Sequence, residues 1–370
     1  MALRTAIPRQ VIDAWPIEEA GLARRATNCL VRAGVRSVGQ LRRFEPHQLL
    51  AIRTLGRVSL RDIQKFAEMT DDLVRGEVRL PSVREVFGRF LDQTELRVIE
   101  QRFGLLGSPS DPTIERLSLQ AIGGQLGRTR ERIRQCEETG CNRLRTRIAR
   151  AYLEPFVEKL EHAINEHDRF LTAEESLVLA HDPDFARYHP AGLLLLFAEL
   201  YGRFLHHHGF FTTVPEATLL VIEDELLRLL RQVVEPRPAR DLASRLRRRG
   251  AAAAALAELP NGEAAAERIL LQHPRVEATA EPAFFCSGSI LLDMLAEVVR
   301  QLGGEAHYRE ATLRLNDRLH PTRQRGSGAV LKLLAGAPSR FRKIERARYA
   351  LVEPGPFARP ATAGGGRRRG

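Results

Sequence analysis

The residues best suited to recognising another molecule lie together in the stretch LGRTRERIRQCEETG, from Leu126 to Gly140. Arginine can donate paired hydrogen bonds to guanine, glutamine can pair with adenine, and glutamate can accept a hydrogen bond from the amino group of cytosine. The residues that we expect to meet base edges in the major groove of DNA are Arg130, Glu131, Arg134 and Gln135. The alternative is a solvated charged helix, of which any basic protein has several.

Two helices joined by a tight turn are expected to position these side chains. Ser118 can cap a first helix, Gly127 allows the backbone to reverse, and Thr129 can cap a second helix. An apolar stripe at spacings of three and four residues follows the second helix and consists of Ile133, Cys136, Gly140, Leu144 and Ile148. The polar residues lie opposite this stripe, as in a helix-turn-helix whose second helix enters the major groove.

The same stretch resembles a segment of known function. TRERIRQCE is similar to the recognition helix of region four in bacterial primary sigma factors, where the usual run is TRERIRQIE, and LDQTELRVIEQRFGL resembles the first half of that region. The resemblance implies that the four base-facing residues read the upstream promoter hexamer. The loop between the halves is a few residues longer here, and Gly140 and Cys141 replace an Ala-Leu pair. Because glycine within a helix costs about 1 kcal/mol relative to alanine, we expect looser packing at this point.

A second DNA-facing segment is predicted near the N-terminus. Short helices joined by glycine turns run from Ile17 to Phe66, and exposed backbone N–H groups at such turns suit phosphate. The segment resembles the C-terminal domain of the RNA polymerase alpha subunit through IEEAGLARRATNCL, AGVRSVGQL and LLAIRTLGRVSL. By this resemblance, the residues that approach the minor groove of A·T-rich DNA are Arg25, Asn28, Gly56 and Ser59. Val58 stands where the family usually has a basic residue, and a protein-docking module without DNA contact is the alternative.

The charge of the whole protein favours a nucleic-acid partner. Its 370 residues carry a formal net charge of +11, with a pI near 10.2, and arginine supplies most of the positive charge. Guanidinium groups bind phosphate bidentately, and the residues expected at the DNA backbone are Arg128, Thr129 and Arg132. Drift of a GC-rich genome toward arginine and alanine is the other explanation of this composition.

Catalytic and metal-binding patterns are missing from the sequence. The four cysteines form no CxxC pair, and His206, His207 and His208 are adjacent, so they are better explained by a turn than by a metal site. No phosphate-binding loop, nucleophile elbow or HExxH motif occurs. We therefore expect no catalytic residue, no metal and no cofactor. The longest apolar run is too short to cross a membrane and no signal peptide is recognisable, so a cytoplasmic, nucleoid-associated protein is predicted.

Helical periodicity dominates the sequence, so the predicted fold class is mainly α and multi-domain. Two later blocks each have two or three helices followed by short strand-like segments, which is the order of a winged helix. The predicted domains are an alpha C-terminal-domain-like helix-hairpin-helix module at 8–75, a region 4-like helix-turn-helix at 82–150, a helical connector at 151–212, winged helices at 213–286 and 287–356, and a disordered basic tail at 357–370.

The last block ends in a basic pair of strand-like segments. It resembles winged-helix modules found beside restriction enzymes and transcription proteins. The cations that could meet a phosphate backbone are Arg323, Arg325, Arg340, Arg342 and Lys343. A solvated surface or a subunit contact explains these cations equally well.

The function predicted from these features is that of a DNA-binding transcription protein that reads promoter-like DNA. The RNA polymerase core, through its beta flap, is the second expected partner. Nothing in the sequence resembles the aromatic-rich sigma helix that captures unstacked bases, so we expect the protein to adjust initiation rather than to replace a sigma factor. Two alternatives stay open: a DNA-targeting or sensing subunit of a restriction-like or defence complex, and a polymerase-binding adaptor that uses both modules as protein surfaces.

Overall fold

The computed structural model describes residues 2–3, 6–76, 79–80, 82–108, 111–185, 188–233, 235–286 and 288–352. The protein divides into two compact units, Met1–Glu216 and Ala217–Gly370. Among the described residues, no helix is both long and apolar enough to cross a bilayer. The tail predicted at 357–370 lies outside the described residues.

The first block of the N-terminal unit contains four short helices and one long helix. Ser37 begins one short helix, because its hydroxyl accepts a hydrogen bond from the backbone N–H of Gln40 at 3.3 Å. Glu45 and Gln48 form a capping box at the start of the next. Gly76, in the left-handed conformation (φ +69°), ends the long helix. The elements are α1 (Arg9–Asp13), α2 (Arg24–Arg32), α3 (Val38–Leu41), α4 (Pro46–Ala51), α5 (Arg57–Arg75), and the antiparallel strands β1 (Ala2–Leu3) and β2 (Arg79–Leu80).

The predicted helix-turn-helix is present in the second block. The Ser118 hydroxyl accepts a hydrogen bond from the Ala121 N–H, and the Thr129 hydroxyl accepts one from the Arg132 N–H, both at 3.2 Å. Gly127 is left-handed (φ +61°), which confirms the predicted turn together with both caps. The helices are α6 (Val83–Phe90), α7 (Gln93–Arg102), α8 (Leu119–Leu126) and α9 (Arg130–Arg145).

Four of the five residues predicted on the apolar stripe lie on α9 and are buried. Ile133 and Cys136 pack with apolar residues of α7 and α8 in a small core of their own. The assignment of Ile148 to the same helix is wrong. The backbone becomes extended at Thr146 (ψ 153°), so α9 ends there and Ile148 is buried in the first turn of the next helix.

Residues 151–212, predicted as a helical connector, contain a sheet as well as helices. The elements are α10 (Arg147–Glu166), β3 (Phe170–Thr172), two 3-10 helices (Glu175–His181 and Pro183–Phe185), α11 (Pro190–Tyr201), β4 (Leu205–His207) and β5 (Phe210–Thr212). The strands are antiparallel in the order β3–β5–β4. Each has only three residues, which is too short for an alternating pattern to stand out. His206 and His207 lie on β4, and the predicted turn follows at His208 (φ +51°).

The C-terminal unit runs twice through one order of elements. The first pass comprises α12 (Glu216–Leu230), β6 (Arg237–Pro238), α13 (Ala239–Leu246), α14 (Gly250–Ala257), α15 (Gly262–Gln272), β7 (Glu277–Ala278) and β8 (Ala283–Phe285). The second comprises α16 (Gly288–Gln301), β9 (Glu305–His307), α17 (Tyr308–Asn316), a 3-10 helix (Pro321–Arg323), α18 (Ser327–Gly336), β10 (Phe341–Glu345) and β11 (Arg348–Leu351).

In each pass the last strand is the central one, in the orders β6–β8–β7 and β9–β11–β10. Both passes follow the order of a winged helix, which is a helix, a strand, further helices and two strands. The segment from α10 to β5 follows the same order. The domain boundaries stay predictions. Because helices predominate and the sheets of the described residues have two or three strands, the mainly α, multi-domain fold class is confirmed.

Candidate nucleic-acid interface

The N-terminal half of α9 presents an exposed polar face. Ile133 and Cys136, on the opposite side of the helix, are buried, which leaves the polar residues on the solvent side. The exposed residues are Arg130, Glu131, Arg134 and Gln135. The structure therefore brings the four residues predicted to face bases onto one surface.

Arg134 is held by two acidic neighbours on this face. Its Nη2 and Nε donate to the two carboxylate oxygens of Glu131 at 2.9 and 3.0 Å, and its Nη1 donates to Glu138 at 3.1 Å. The hydrogen bond from Arg134 lowers the pKa of Glu131, and that bond in turn raises the pKa of Arg134. Glu138 was not among the predicted residues, although its position one turn after Arg134 could have indicated it.

The residues expected at the DNA backbone lie at the turn before α9 and in its first turn. Arg128, Thr129 and Arg132 are exposed, and Arg132 also donates to the side-chain oxygen of Gln135 at 3.3 Å. The turn needs a glycine in α8: a Cβ on Gly123 would lie 2.7 Å from the carbonyl oxygen of Arg128. This close approach sets the distance between the two helices of the motif.

Ion pairs fix α9 against the helix behind it. Arg143 donates to Glu95 on α7 at 2.7 Å, and Arg102 on α7 donates to Glu137 at 2.9 Å. Burial raises the pKa of Glu95, while a backbone hydrogen bond at Asp92 and the charge of Arg143 oppose that rise. These pairs connect the two halves of the region 4-like segment on the side of α9 away from the exposed face.

Of the two positions that depart from the sigma pattern, Gly140 faces α7 and Cys141 is buried. A Cβ on Gly140 would lie 3.4 Å from Ile99 Cγ1 and 3.6 Å from the Cβ of Glu95, so the helices leave room for one methyl group. Cys141 is buried, and burial raises the pKa of its thiol to about 12. It therefore stays protonated and packs as a small apolar side chain. The looser packing expected here amounts to one missing methyl group.

The alpha-like residues differ from one another in their exposure to solvent. Arg25 and Asn28 are exposed on α2, and Gly56 is exposed as the residue before α5. Ser59 is only 4% exposed, so it is not part of the exposed surface, which corrects the expectation drawn from the resemblance. Its place in the first turn of α5 turns it toward the core, whereas Val58 beside it is 73% exposed.

Thr54, in the hairpin that precedes α5, was not singled out from the sequence. Its backbone is left-handed (φ +72°), a conformation that is uncommon for a β-branched residue. Its hydroxyl lies 3.3 Å from the sulfur of Cys29 on α2. The strained residue thus connects the hairpin before α5 to α2.

The two segments meet at a cleft of about 820 Å³ within the N-terminal unit. Asn28 lines it from the alpha-like side, while Thr139, Asn142 and Arg143 line it from the C-terminal half of α9. The alpha-like surface and the second half of α9 are therefore neighbours.

Of the cations suggested in the last block, three are engaged within the C-terminal unit. Arg323 donates to carbonyl oxygens at the end of α15, the nearest at 2.6 Å. Arg325 and Arg340 each form an ion pair with a carboxylate. Arg342 and Lys343, on β10, are exposed. Of the five cations, Arg342 and Lys343 are therefore the two that a phosphate could reach.

Comparison with protein families identifies two segments of the protein. Residues 9–68 match the family model for the C-terminal domain of the bacterial RNA polymerase alpha chain. Residues 90–146 match the family model for sigma-70 region 4. No solved structure was found to match the protein.

Curated relatives are RNA polymerase alpha subunits. Those of Herpetosiphon aurantiacus and Roseiflexus sp. (strain RS-1) are each 42% identical over 59 residues, and that of Tropheryma whipplei (strain Twist) is 44% identical over 59 residues. Each alignment covers 16% of this protein and 18% of the relative, so the match spans less than a fifth of the length of these relatives. Both resemblances are thereby confirmed: the protein joins a segment like the RNA polymerase alpha C-terminal domain to a segment like sigma-70 region 4.

Proposed function

We propose that this protein is a DNA-binding transcription protein that reads promoter-like DNA through α9. The proposal is carried by one observation: four polar side chains stand exposed on the N-terminal half of a capped helix, within the segment that matches sigma-70 region 4. In a helix-turn-helix, this half of the second helix enters the major groove. The protein would act on the nucleoid in the cytoplasm, by binding rather than by catalysis.

Reading DNA requires Arg134 to exchange partners. In the free protein it is paired with Glu131 and Glu138, and its side chain is 51% exposed. Exposed ion pairs contribute at most about 1 kcal/mol each, whereas a bidentate contact with guanine discriminates against other bases by about 1–3 kcal/mol. Giving up both ion pairs together costs at most about 2 kcal/mol, so Arg134 can exchange them for a guanine contact on a matching sequence.

Arginines beside the reading face would position the protein on the duplex. Arg128 and Arg132 flank the four residues and are exposed. Neutralising phosphates releases counterions, so affinity should fall steeply as salt rises. These contacts supply binding to any sequence, and the α9 face supplies the preference for one.

Selection of bound sequences from random duplex DNA tests the proposal. The full-length protein is expected to enrich one motif, and the double variant Arg130→Ala/Arg134→Ala is expected to bind weakly without enriching it. Arg97→Ala, which removes an exposed arginine on α7 of the same segment, is the matched control and should enrich the motif of the unchanged protein. A double variant that still enriched the same motif would reject α9 as the reader.

Contact with RNA polymerase is a second candidate, and it is favoured by the match of residues 9–68 to a polymerase domain. Core polymerase mixed with the full-length protein and treated with nuclease should retain it, and a core enzyme without the beta flap tip should retain less. The Arg130→Ala/Arg134→Ala variant separates the two roles, because its protein surfaces are otherwise unchanged. Release of the protein by nuclease would show that DNA alone held it to the polymerase.

A further inference from the structure

The alpha-like and region 4-like segments are joined at the first turn of α10. The backbone N–H groups of Arg147 and Ile148 donate to the carbonyl oxygens of Glu19 and Ala20, at 2.8 and 3.2 Å. N–H groups in the first turn of a helix have no acceptor within that helix. The backbone at residues 19–20, in the loop before α2, therefore caps the helix that follows α9.

The glycine next to this cap allows the contact. Gly21 is left-handed (φ +109°), and a Cβ there would lie 2.6 Å from Ile148 Cγ2 and 2.9 Å from Thr146 Oγ1. Any side chain at this position would push α10 and the end of α9 away from the loop. The ion pair of Arg147 with Glu19, at 2.9 Å, adds little because both side chains are about half exposed.

A second set of contacts prevents rotation about the cap. The Tyr152 hydroxyl on α10 donates to the carbonyl oxygen of Met69 on α5 at 3.3 Å. The ring of Tyr152 meets that of Phe90, at the end of α6, edge to face at 5.8 Å. Buried side chains of the alpha-like segment, of α6, α7 and α9, and of α10 belong to one continuous core. Because of the cap, the Tyr152 contacts and the shared core, no flexible hinge lies between the described residues of the two segments.

The same arrangement fixes the position of the two DNA-facing surfaces relative to each other. Asn28 on α2 and Asn142 in the second half of α9 line the same cleft. DNA bound by both segments would have to present its two elements at the separation and rotation that this body imposes. Duplex DNA turns once in about 10–10.5 base pairs, so a shift of half a turn moves one element to the far side of the helix.

We infer that the two segments form one rigid reader of a composite DNA site, in which an element contacted by α2 and the hairpin before α5 lies at a fixed distance and phase from the element read by α9. The inference rests on the proposed function, since it requires that α9 reads DNA. It adds that the alpha-like segment is not an independent module, and that spacing between the two elements is itself recognised.

The test uses the unaltered full-length protein and changes only the DNA. Hydroxyl-radical footprinting on the selected site is expected to show two protected elements. With the Arg25→Ala variant, one of these elements should lose its protection. Insertions of 5 and of 10 base pairs between them should each lower affinity about tenfold, to the level of a site that keeps the α9 element alone. If either insertion leaves the affinity unchanged, or if the footprint shows only one element, the rigid reader is overturned. Such a result would leave the α9 motif intact, whereas failure to enrich any motif would reject the proposed function and this inference with it.

A variant of the joint gives the complementary result. Gly21→Ala is expected to separate the segments and make binding tolerant of the inserted base pairs, while the preference for the α9 motif stays. Gly34→Ala is the control, because Gly34 is also left-handed (φ +85°) but a Cβ there meets nothing within 4 Å. If Gly21→Ala retains its fold and remains as sensitive to the insertions as the unchanged protein, the joint does not set the spacing.

Discussion

The two proposed DNA-facing surfaces of the N-terminal unit differ although both lie in segments that match a family model. On α9 the four predicted residues are all exposed, since one helix period places them on one side. The alpha-like residues come from α2 and from the start of α5, and Ser59 is buried while apolar Val58 is exposed. A surface made from one helix follows from the sequence pattern. A surface assembled from two helices depends also on how they pack.

The largest expected difference between the surfaces is in sequence discrimination. Arg134→Ala should remove about 1–3 kcal/mol of preference for the selected motif over a scrambled duplex, which is roughly a 5- to 150-fold change. Arg25→Ala should weaken binding less, and by the same factor on both duplexes when only the α9 element is scrambled, because the minor groove carries little sequence information. Fluorescence anisotropy titrations of the full-length protein measure both. Equal loss of discrimination in the two variants would show that the two surfaces do not differ in how they read sequence.

Strain at the hairpin is a feature of the alpha-like surface alone. Thr54→Asn should stabilise the alpha-like segment by about 1 kcal/mol, because asparagine tolerates the left-handed backbone that costs a β-branched residue about 1–3 kcal/mol. Slower amide hydrogen exchange in α2 and α5 of the full-length protein would show the gain. Thr94→Asn, the same change at an exposed position on α7, should leave exchange in those helices as it is.

Adding a cation to the alpha-like surface should raise the contribution of this surface to DNA affinity toward that of α9. Val58→Lys adds a charge where the side chain is 73% exposed beside Gly56, and one more phosphate contact should steepen the dependence of log affinity on log salt by about 0.9. Val178→Lys adds the same charge at a 66% exposed position on a 3-10 helix. If both variants steepen the slope equally, the effect is one of net charge and the alpha-like surface does not touch DNA.

The smallest expected effect concerns the acid that restrains Arg134. Glu138→Gln removes one of its two ion pairs and should strengthen DNA binding about twofold, since an exposed pair one helical turn apart contributes roughly 0.3–0.5 kcal/mol. DNA titrations at several salt concentrations measure the change in affinity. Glu158→Gln on α10 removes the same charge away from Arg134, and it therefore shows how much of the change comes from the loss of a negative charge alone. Weaker binding by Glu138→Gln would mean that the acid holds Arg134 in its binding position.

Local signals in the sequence predicted local structure correctly. Ser118, Gly127 and Thr129 each act within four residues of their own position, so their caps and turn could be predicted without knowledge of the fold. The exposed set on α9 follows from the helical period. The resemblances to the two families, which are confirmed, rest on contiguous runs of the same kind.

Structure that depends on distant partners could not be predicted in this way. The sequence suggests a phosphate contact for Arg323, because nothing near it in sequence reveals that it caps the end of α15. The resemblance predicts that Ser59 approaches DNA, but its burial depends on how α5 packs, which the sequence does not reveal. The three strands after α10 were missed because their pairing joins residues 170–172 to 210–212, across a run of apolar helix.

The cap of α10 has a consequence for the order in which the N-terminal unit folds. Glu19 and Arg147 are 128 positions apart in the sequence, and closing a long loop costs entropy before the contacts that it permits are gained. During synthesis, the loop before α2 leaves the ribosome long before the amides that it caps exist. The alpha-like segment therefore completes its native contacts only after α10 has been made, and the N-terminal unit is expected to fold as a late, single step.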